Sequence, residues 1–421
     1  MIRSTTPATT VVVVASALVA GACASDEQTM DDADGATTAE VEPLTVDLPA
    51  VSVHLDLQPT GTRVIDGSAA LAGPPDLDLP IPSDTAWVFG LGGDGDGRRW
   101  VVIDGDGIVR LIGPDGEIGT IDDIGDDVPV TVDVDLDGRI TVRTVADRNR
   151  AGGDPFQFVD PLPDTRVVEG DGSIVALGGP TDRYRHGVLG DILEASTVEV
   201  ITPTTNSGGS SQTGAQTVVD IAEPDVIEAV SPMLGDVDGD DDLDVVLTLA
   251  NADVGARLAA YDLDGTLIAE SDPVGLGNRW RNLLAVAPVG PNGEIEVIDV
   301  LTPHIGGVLQ FHRVEAATGR LDRVAATAEY STHAIGSRNL DLGIVVDADG
   351  DGRLDVVVPT QDRSRLVAIT RVGADPGIVT SASVDLGARM TSNLAATPRR
   401  NGTVDLAVTT ADDRLLVWYG S

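Results

Sequence analysis

Apolar residues in this chain come in short bursts separated by Gly, Pro, Asp and Asn, a rhythm that reads as many short strands joined by tight turns. The stretch from 230 to 269 shows one unit of it. Val230 to Gly235 forms a first strand, Leu243 to Leu249 a second, Ala256 to Tyr261 a third and Thr266 to Ala269 a fourth. Asp264-Gly265 is the hairpin turn between the last two. Val245-Val-Leu-Thr-Leu249 and Val356-Val-Val358 are unbroken runs dominated by β-branched residues, as expected of strands buried on both faces.

Two of the turns carry a dense acidic pattern. Asp236-Val-Asp-Gly-Asp-Asp-Asp-Leu-Asp244 and Asp347-Ala-Asp-Gly-Asp-Gly-Arg-Leu-Asp355 place carboxylates at loop positions 1, 3, 5 and 9. A hard cation takes six to eight oxygens, and alternating aspartates with Gly239, Gly350 and Gly352 at the bends can curl those oxygens inward. The ligand set for Ca2+ is therefore Asp236, Asp238, Asp240 and Asp244 in one loop, and Asp347, Asp349, Asp351 and Asp355 in the other. Asp242 and Arg353, at position 7, would each add a backbone carbonyl. An EF-hand would need Glu at position 12, where Leu247 and Val358 stand, and each loop runs into a strand rather than a helix.

The loop also serves as a ruler for the rest of the chain. Aligning on position 9 and the apolar residue after it gives seven copies, which end at Trp100, Thr141, Glu199, Asp244, Glu296, Asp355 and Asp405. Their first positions are Gly92, Asp133, Asp191, Asp236, Pro288, Asp347 and Thr397, about 51 residues apart on average. That length holds four short strands, one blade of a β-propeller. The expected fold is all-β, a seven-bladed propeller with calcium turns, closed by a strand from residues 44 to 57, because an open edge invites aggregation.

The two complete loops, each followed by Val-Val, resemble the FG-GAP or VCBS repeats of integrin α-subunit propellers and bacterial surface proteins. The resemblance covers roughly residues 85 to 421. It implies calcium in the loop joining the first and second strands of certain blades. Gly277 to Asn282, Thr302 to Gly307 and His333 to Asn339 also resemble a bacterial lipoprotein subgroup of such proteins. Among the other copies, Asp133, Asp135 and Asp137 form a partial site, since Thr141 stands at position 9. The first copy keeps Asp94 and Asp96 with Trp100 in the ninth place, and the copies at Asp191, Pro288 and Thr397 read as structural turns.

Loops on the opposite face of such a ring gather a different chemistry. They hold Arg183, Arg185, His186, Arg279, Trp280, Arg281, Asn282, His304, His333, Arg338 and Asn339, with Gln361, Asp362 and Asn393 nearby. Three of the five histidines fall there. An Arg, His and Trp rim suits an anionic or sugar ligand, an extracellular protein, or an enzyme that uses the arginines as a charge clamp and a histidine as base on a polysaccharide. The bland reading is that these side chains tie neighbouring loops together. A transition-metal site from His186, His304 and His333 would lack any short ligand spacing. His54 and His312 lie on strand-like segments and read as packing or surface residues. The sequence has no Gly-x-Ser-x-Gly elbow, phosphate loop or His-Glu-x-x-His, so no catalytic residue is assigned.

The first residues read as a targeting segment. Arg3 precedes the apolar run Val11 to Ala20 and then Gly21-Ala22-Cys23, too short to span a membrane as a mature helix. Residues 1–22 are expected to be a signal peptide. Cys23, the only cysteine, sits where a bacterial lipobox would place the lipidated residue, although Ala20 replaces the usual leucine. Cleavage by ordinary signal peptidase would instead release a secreted protein. Residues 23–42 are then an acidic tether holding the domain of residues 43–421 at the outer face of the cytoplasmic membrane, with lipid as the membrane contact.

The formal net charge is −41 with pI about 4.1, and all 27 basic residues are arginine. Nucleic acid and anionic membrane are poor partners for such a surface. A salty habitat and GC-rich codon bias explain the composition equally well. The ring is expected to be monomeric.

Overall fold

The computed structural model describes residues 63–81, 85–91, 98–104, 109–113, 115–120, 131–134, 140–143, 158–162, 165–166, 168–170, 172–205, 212–337, 339–373 and 377–420, together with strands Thr9–Val13 and Leu44–Leu48. Every regular element among them is a strand. Cys23, the 24–42 tether, His54, Asp94, Asp96, Asp135, Asp137 and Arg338 lie outside the described residues.

The strands form antiparallel meanders in chain order, named below by their first residues. The Thr85 sheet runs Thr85–Leu91, Arg99–Asp104, Val109–Ile112 and Ile118–Thr120. A hairpin of Thr131–Val134 and Ile140–Arg143 follows. The Val168 sheet runs Val168–Gly170, Ser173–Gly178, Thr197–Thr205 and Gln212–Asp220. The Met233 sheet runs Met233–Gly235, Asp244–Ala250, Arg257–Asp262 and Leu267–Glu270, close to the pattern read from the sequence. Next come the Arg281 sheet (Arg281–Ala287, Glu296–Leu301, Val308–Glu315, Arg320–Ala328) and the Ile344 sheet (Ile344–Asp347, Asp355–Pro359, Arg365–Arg371, Ile378–Asp385). The Ala395 sheet has Ala395–Pro398, Val404–Thr410 and Arg414–Trp418.

Apolar layers lie between consecutive sheets from the Val168 sheet round to the Thr85 sheet. Val175 and Leu177 of the Val168 sheet pack with Val245 and Leu247 of the next. Val246 packs with Val286 and Val297, Ile298 and Phe311 with Val356 and Ile369, and Val357 and Leu366 with Leu406 and Val408. Ala395 and Val417 of the last sheet then meet Val88 and Trp100 of the first. Each such fully buried aliphatic side chain contributes about 1.5 to 3 kcal/mol relative to exposure. First strands crowd together near the axis. A Cβ at Gly235 would stand 2.4 Å from Val286, and one at Gly90 would stand 1.4 Å from Thr397. These features make the fold a β-propeller.

Ring closure is achieved by an N-terminal strand, but a different one from that expected. Leu77–Pro80 pairs antiparallel with Arg414–Trp418 and becomes the fourth strand of the Ala395 sheet. Leu44–Leu48, inside the expected 44 to 57 segment, pairs instead with Thr9–Val13. Both Leu44–Leu48 and Leu77–Pro80 alternate apolar and polar residues, so pattern alone could not choose between them.

Before closing the ring the chain lies along its interior. Val64–Ser68 runs parallel to Ile344–Asp347, with Val64 beside Val345. Ile65 and Leu71 are buried among Leu342, Ile344, Leu394 and Val404, from two different sheets. Ala69 N donates to Asp347 O at 2.7 Å and Leu71 N to Ala348 O at 2.9 Å. This segment enters at Arg63, on the side of the connecting loops, and leaves at the acidic turns.

Candidate functional site

The two acidic turns repeat one another bond for bond. Asp236 Oδ1 accepts from Gly239 N at 2.7 Å and its Oδ2 from Asp241 N at 3.2 Å. Asp347 Oδ1 accepts from Gly350 N at 2.8 Å and its Oδ2 from Gly352 N at 3.1 Å. Position 9 closes each loop on position 2: Asp244 Oδ2 accepts from Val237 N at 2.8 Å, and Asp355 Oδ2 from Ala348 N at 3.0 Å. Gly239, Gly350 and Gly352 have φ of 84°, 81° and 83°, so the bends need residues at home in the left-handed region. Asp241, opposite Gly352 in register, takes φ 71° without being glycine.

This geometry brings carboxylate oxygens of Asp236, Asp238 and Asp244 within 4.8 Å of one another, and those of Asp347, Asp349 and Asp355 likewise. That spacing is about twice a Ca2+–oxygen bond, so three carboxylates could share one ion. The position-5 residues are not part of either group. Asp240 Oδ1 instead accepts from Asp242 N at 2.9 Å, and Asp351 Oδ1 from Arg353 N at 2.8 Å. Arg353 also donates to the Arg371 carbonyl.

The loops differ in how far they satisfy themselves. Asp244 is fully buried and its Oδ1 has no partner. Burial pushes its carboxyl up to about 7, with Asp238 and Asp240 adding repulsion against the Val237 bond. Asp262 nearby is also raised, by burial and by Asp264, Asp238 and Asp240. Asp355 is raised by burial too, but its Oδ1 accepts from Ser381 Oγ at 2.9 Å and from the Thr370 hydroxyl. The Asp236 loop therefore has the stronger demand for a cation.

In two other turns an arginine stands where the cation would be. Glu296, at position 9 of the Pro288 turn, receives Arg371 Nε at 2.9 Å and an Arg313 nitrogen at 2.6 Å. Asp405, at position 9 of the Thr397 turn, receives Arg399 Nε at 2.8 Å and Gly420 N at 3.0 Å, with Arg98 at 3.3 Å. A fixed guanidinium neutralises the buried carboxylate there, which fits their reading as structural turns. Asp133 lies in Thr131–Val134 opposite Thr141, in the register expected of positions 1 and 9.

The third copy of the ruler slips by a strand. The first turn of the Val168 sheet is the tight bend between Gly170 and Ser173. Asp191 lies in the long loop between the second and third strands, where its Oδ1 accepts from Leu193 N at 2.9 Å. Glu199 is on the third strand and accepts from Val159 N at 2.5 Å and Asp160 N at 2.9 Å.

The opposite face brings Trp280, His186, His304 and His333 together. His333 Nε2 donates to Ser337 O at 2.7 Å, which leaves its Nδ1 to accept from His304 Nε2 at 2.6 Å. Both imidazoles are then neutral. Burial holds His304 down at about 4, with His186 and Arg363 contributing, and holds His333 down at about 3. Trp280 stacks on His304 with centroids 5.9 Å apart, meets the edge of His333 at 4.8 Å and donates Nε1 to Glu228 O at 3.0 Å. His186 Nδ1 pairs with Glu228, whose carboxyl is raised by burial, and burial pushes Tyr184 beside it up to about 12.

The remaining predicted rim residues bond within their own loops or to neighbouring ones. Arg183 donates to Ile221 O at 3.1 Å and to Asp225 O. Arg185 is exposed and pairs with Asp182, and exposed Arg279 reaches Val274 O at 3.2 Å. Asn282 donates to Thr332 Oγ1 at 2.9 Å, Asn339 Oδ1 accepts from Asp341 N at 3.0 Å, and Gln361 donates to Pro303 O at 2.9 Å. Asn393 accepts from Val88 N at 2.9 Å and donates to Val88 O at 2.8 Å, joining the last sheet to the first. Asp362 accepts from Ser364 N at 3.1 Å.

Arg281 corrects the sequence expectation. It is buried inside its sheet, 3.1 Å from Gln310 Oε1 and 3.4 Å from Asp299, because alternation along Arg281–Ala287 turns it away from the Asn282 side. His312, 2.8 Å from Asp299, is buried in the same group.

A triad missed by sequence reasoning lies where the interior segment begins. Asp341 is 2.9 Å from Arg63 and 2.6 Å from Arg166, and Arg63 also donates to Leu340 O at 2.5 Å. Burial alone would raise Asp341, but Arg166 and Arg63 outweigh it and hold the carboxyl low. The three residues are more than a hundred positions apart, so no local signal joins them.

No protein-family model matches this chain, and no curated protein matches it. Among solved structures it is similar to BBS1N in complex with ARL6DN, at 12% identity over 84% of this chain and 98% of that one, TM-score 0.42. It is similar to the WD40 beta propeller domain of Doa1 at 13% identity over 83% and 97%, TM-score 0.38. Chaetomium thermophilum Raptor matches at 8% identity over 84% of this chain and 29% of its own, TM-score 0.40. Likeness at this level says nothing of what this chain binds.

Proposed function

We infer that this protein is a calcium-stapled, seven-bladed propeller that serves as a binding scaffold at the cell surface. The hairpin Thr131–Arg143, standing in sequence between the Thr85 and Val168 sheets, is taken as the inner part of the seventh blade. Cys23 is the proposed lipid attachment point, with the upstream residues as its signal.

One observation carries the calcium reading. Asp244 Oδ1 is buried without a partner in the same loop that brings Asp236, Asp238 and Asp244 within 4.8 Å of one another. A buried unpaired carboxylate is costly unless a proton or cation meets it, and Ca2+ suits this all-oxygen set. The scaffold reading is supported by the opposite face, where Arg183, Asn282, His333, Gln361 and Asn393 spend hydrogen bonds on neighbouring loops. The enzyme alternative has less support, because Arg281 lies inside its sheet and His333 spends both ring nitrogens on Ser337 O and His304.

Calorimetric titration of metal-stripped protein with Ca2+ tests the reading. Binding is expected in wild type and reduced in Asp244→Asn. Absence of any calcium heat in wild type would overturn it.

A further inference from the structure

Position 9 of an acidic turn opens the second strand of its sheet, and the third strand supplies the residue directly across from it. In three sheets that neighbour, or the one after it, meets the buried carboxylate. In the Ile344 sheet Thr370, one step beyond the Val356 and Ile369 pair, gives its hydroxyl to Asp355 Oδ1. In the Arg281 sheet Arg313, one step beyond the Val297 and His312 pair, stands 2.6 Å from Glu296 Oε1. In the Ala395 sheet Gly420 lies two steps beyond the Leu406 and Trp418 pair, and its amide reaches Asp405 Oδ1 at 3.0 Å beside Arg399.

The Met233 sheet breaks this pattern. Asp244 pairs with Asp262, so a second carboxylate stands where the other sheets have a hydroxyl, a guanidinium or an amide. Side chains directly opposite on antiparallel strands share one face, and like charges there repel. Asp262 is half-buried, and its carboxylate has no hydrogen-bond or salt-bridge partner among the described residues. Burial and the carboxylates of Asp264, Asp238, Asp240 and Asp242 all hold it above the ordinary range. Asp244 Oδ1, buried and unpartnered, is the other half of this uncompensated pair. Asp262 is not one of the three carboxylates gathered within 4.8 Å, so it acts on an ion in the turn from outside that set, through its charge. We propose that Asp262 sets the cation affinity of the Asp236 turn and makes it a tighter site than the Asp347 turn, where Thr370 holds the matching place. Ca2+ affinity follows the number of charges around the ion, and the same charge weakens the metal-free fold by repulsion. The proposal rests on the calcium reading above and names the residue that makes the two sites unequal.

Calorimetric titration of the metal-stripped full chain with Ca2+, paired with melting temperatures of the metal-free protein, tests it in wild type and Asp262→Asn. Wild type is expected to show a tighter and a weaker affinity. The substitution should lower the tighter one about tenfold and leave the weaker one unchanged. It should also raise the metal-free melting temperature, because the repulsion from Asp244 is gone. Equal affinities in wild type, or a tighter affinity unchanged by the substitution, overturn the proposal and leave the calcium reading standing. A lower metal-free melting temperature in Asp262→Asn would assign the residue a structural role and overturns it as well. Absence of any calcium heat in wild type overturns both.

Discussion

The backbone amide of Ala69 donates to the carbonyl oxygen of Asp347 at 2.7 Å, so the segment inside the ring ends on the first residue of an acidic turn. Residues 63 to 71 pack against both the Ile344 and the Ala395 sheets, and a few residues further on the same chain is the closing strand Leu77–Pro80. Interior, turn and closure are consecutive parts of one segment, which places the stability of all three under common control.

Calcium should stabilise the fold by linkage. An ion that binds only the folded state adds about 2.7 kcal/mol at a concentration one hundred times its dissociation constant. Scanning calorimetry with excess Ca2+ should show a higher melting temperature than after chelation, and Asp236→Asn should shrink the gap. An identical melting temperature after verified metal removal removes the stapling idea.

Asp241→Gly should stabilise the protein by about 0.5 to 1 kcal/mol, because φ 71° is strained for aspartate and free for glycine. Gly352 already occupies the matching place in the second loop. Urea unfolding would measure the gain, and calcium affinity should be unchanged since Asp241 is outside the gathered carboxylates.

Asp341→Asn should cost about 3 to 5 kcal/mol, since it leaves Arg63 and Arg166 buried without their shared counter-charge. The same unfolding experiment reads the loss. Asp78→Asn, at the exposed Arg414 pair, is the control and should change stability by less than about 1 kcal/mol.

Acid should weaken the Trp280 cluster. His304 is held at about 4 against an ordinary 6.5, so in the window between those values the unfolded chain binds more protons than the folded one. The contribution is complete above pH 6.5 and is lost as pH falls toward 4. Melting temperatures of wild type and His304→Gln, compared in saturating calcium from neutral pH down to 5, should show the smaller decline in the variant. Parallel curves would contradict the assignment of a neutral histidine pair.

Strand rhythm, the two complete acidic loops and their place between first and second strands were legible because each is fixed within a dozen residues. Asp236 to Asp244 folds on its own hydrogen bonds, and the same spacing at Asp347 gives the same bonds. The ruler failed at Asp191, where an apolar residue after an acidic one on a third strand imitates the ninth position. Trp280, His304 and His333 were rightly grouped, but Arg281 was counted with them because a one-residue step along a strand reverses the face, and only packing tells which side is inward.

The sequence by itself determined the class of fold and the hydrogen bonding of the two acidic turns, since local spacing dictates which amides can reach each carboxylate. Only the tertiary structure decided that Val64–Ser68 runs along the interior, that Leu77–Pro80 closes the ring, and that Arg63, Arg166 and Asp341 form one buried triad. Those pairings join positions hundreds of residues apart. Their energy comes from burial and charge compensation that exist only once the ring is assembled, so no local pattern encodes them.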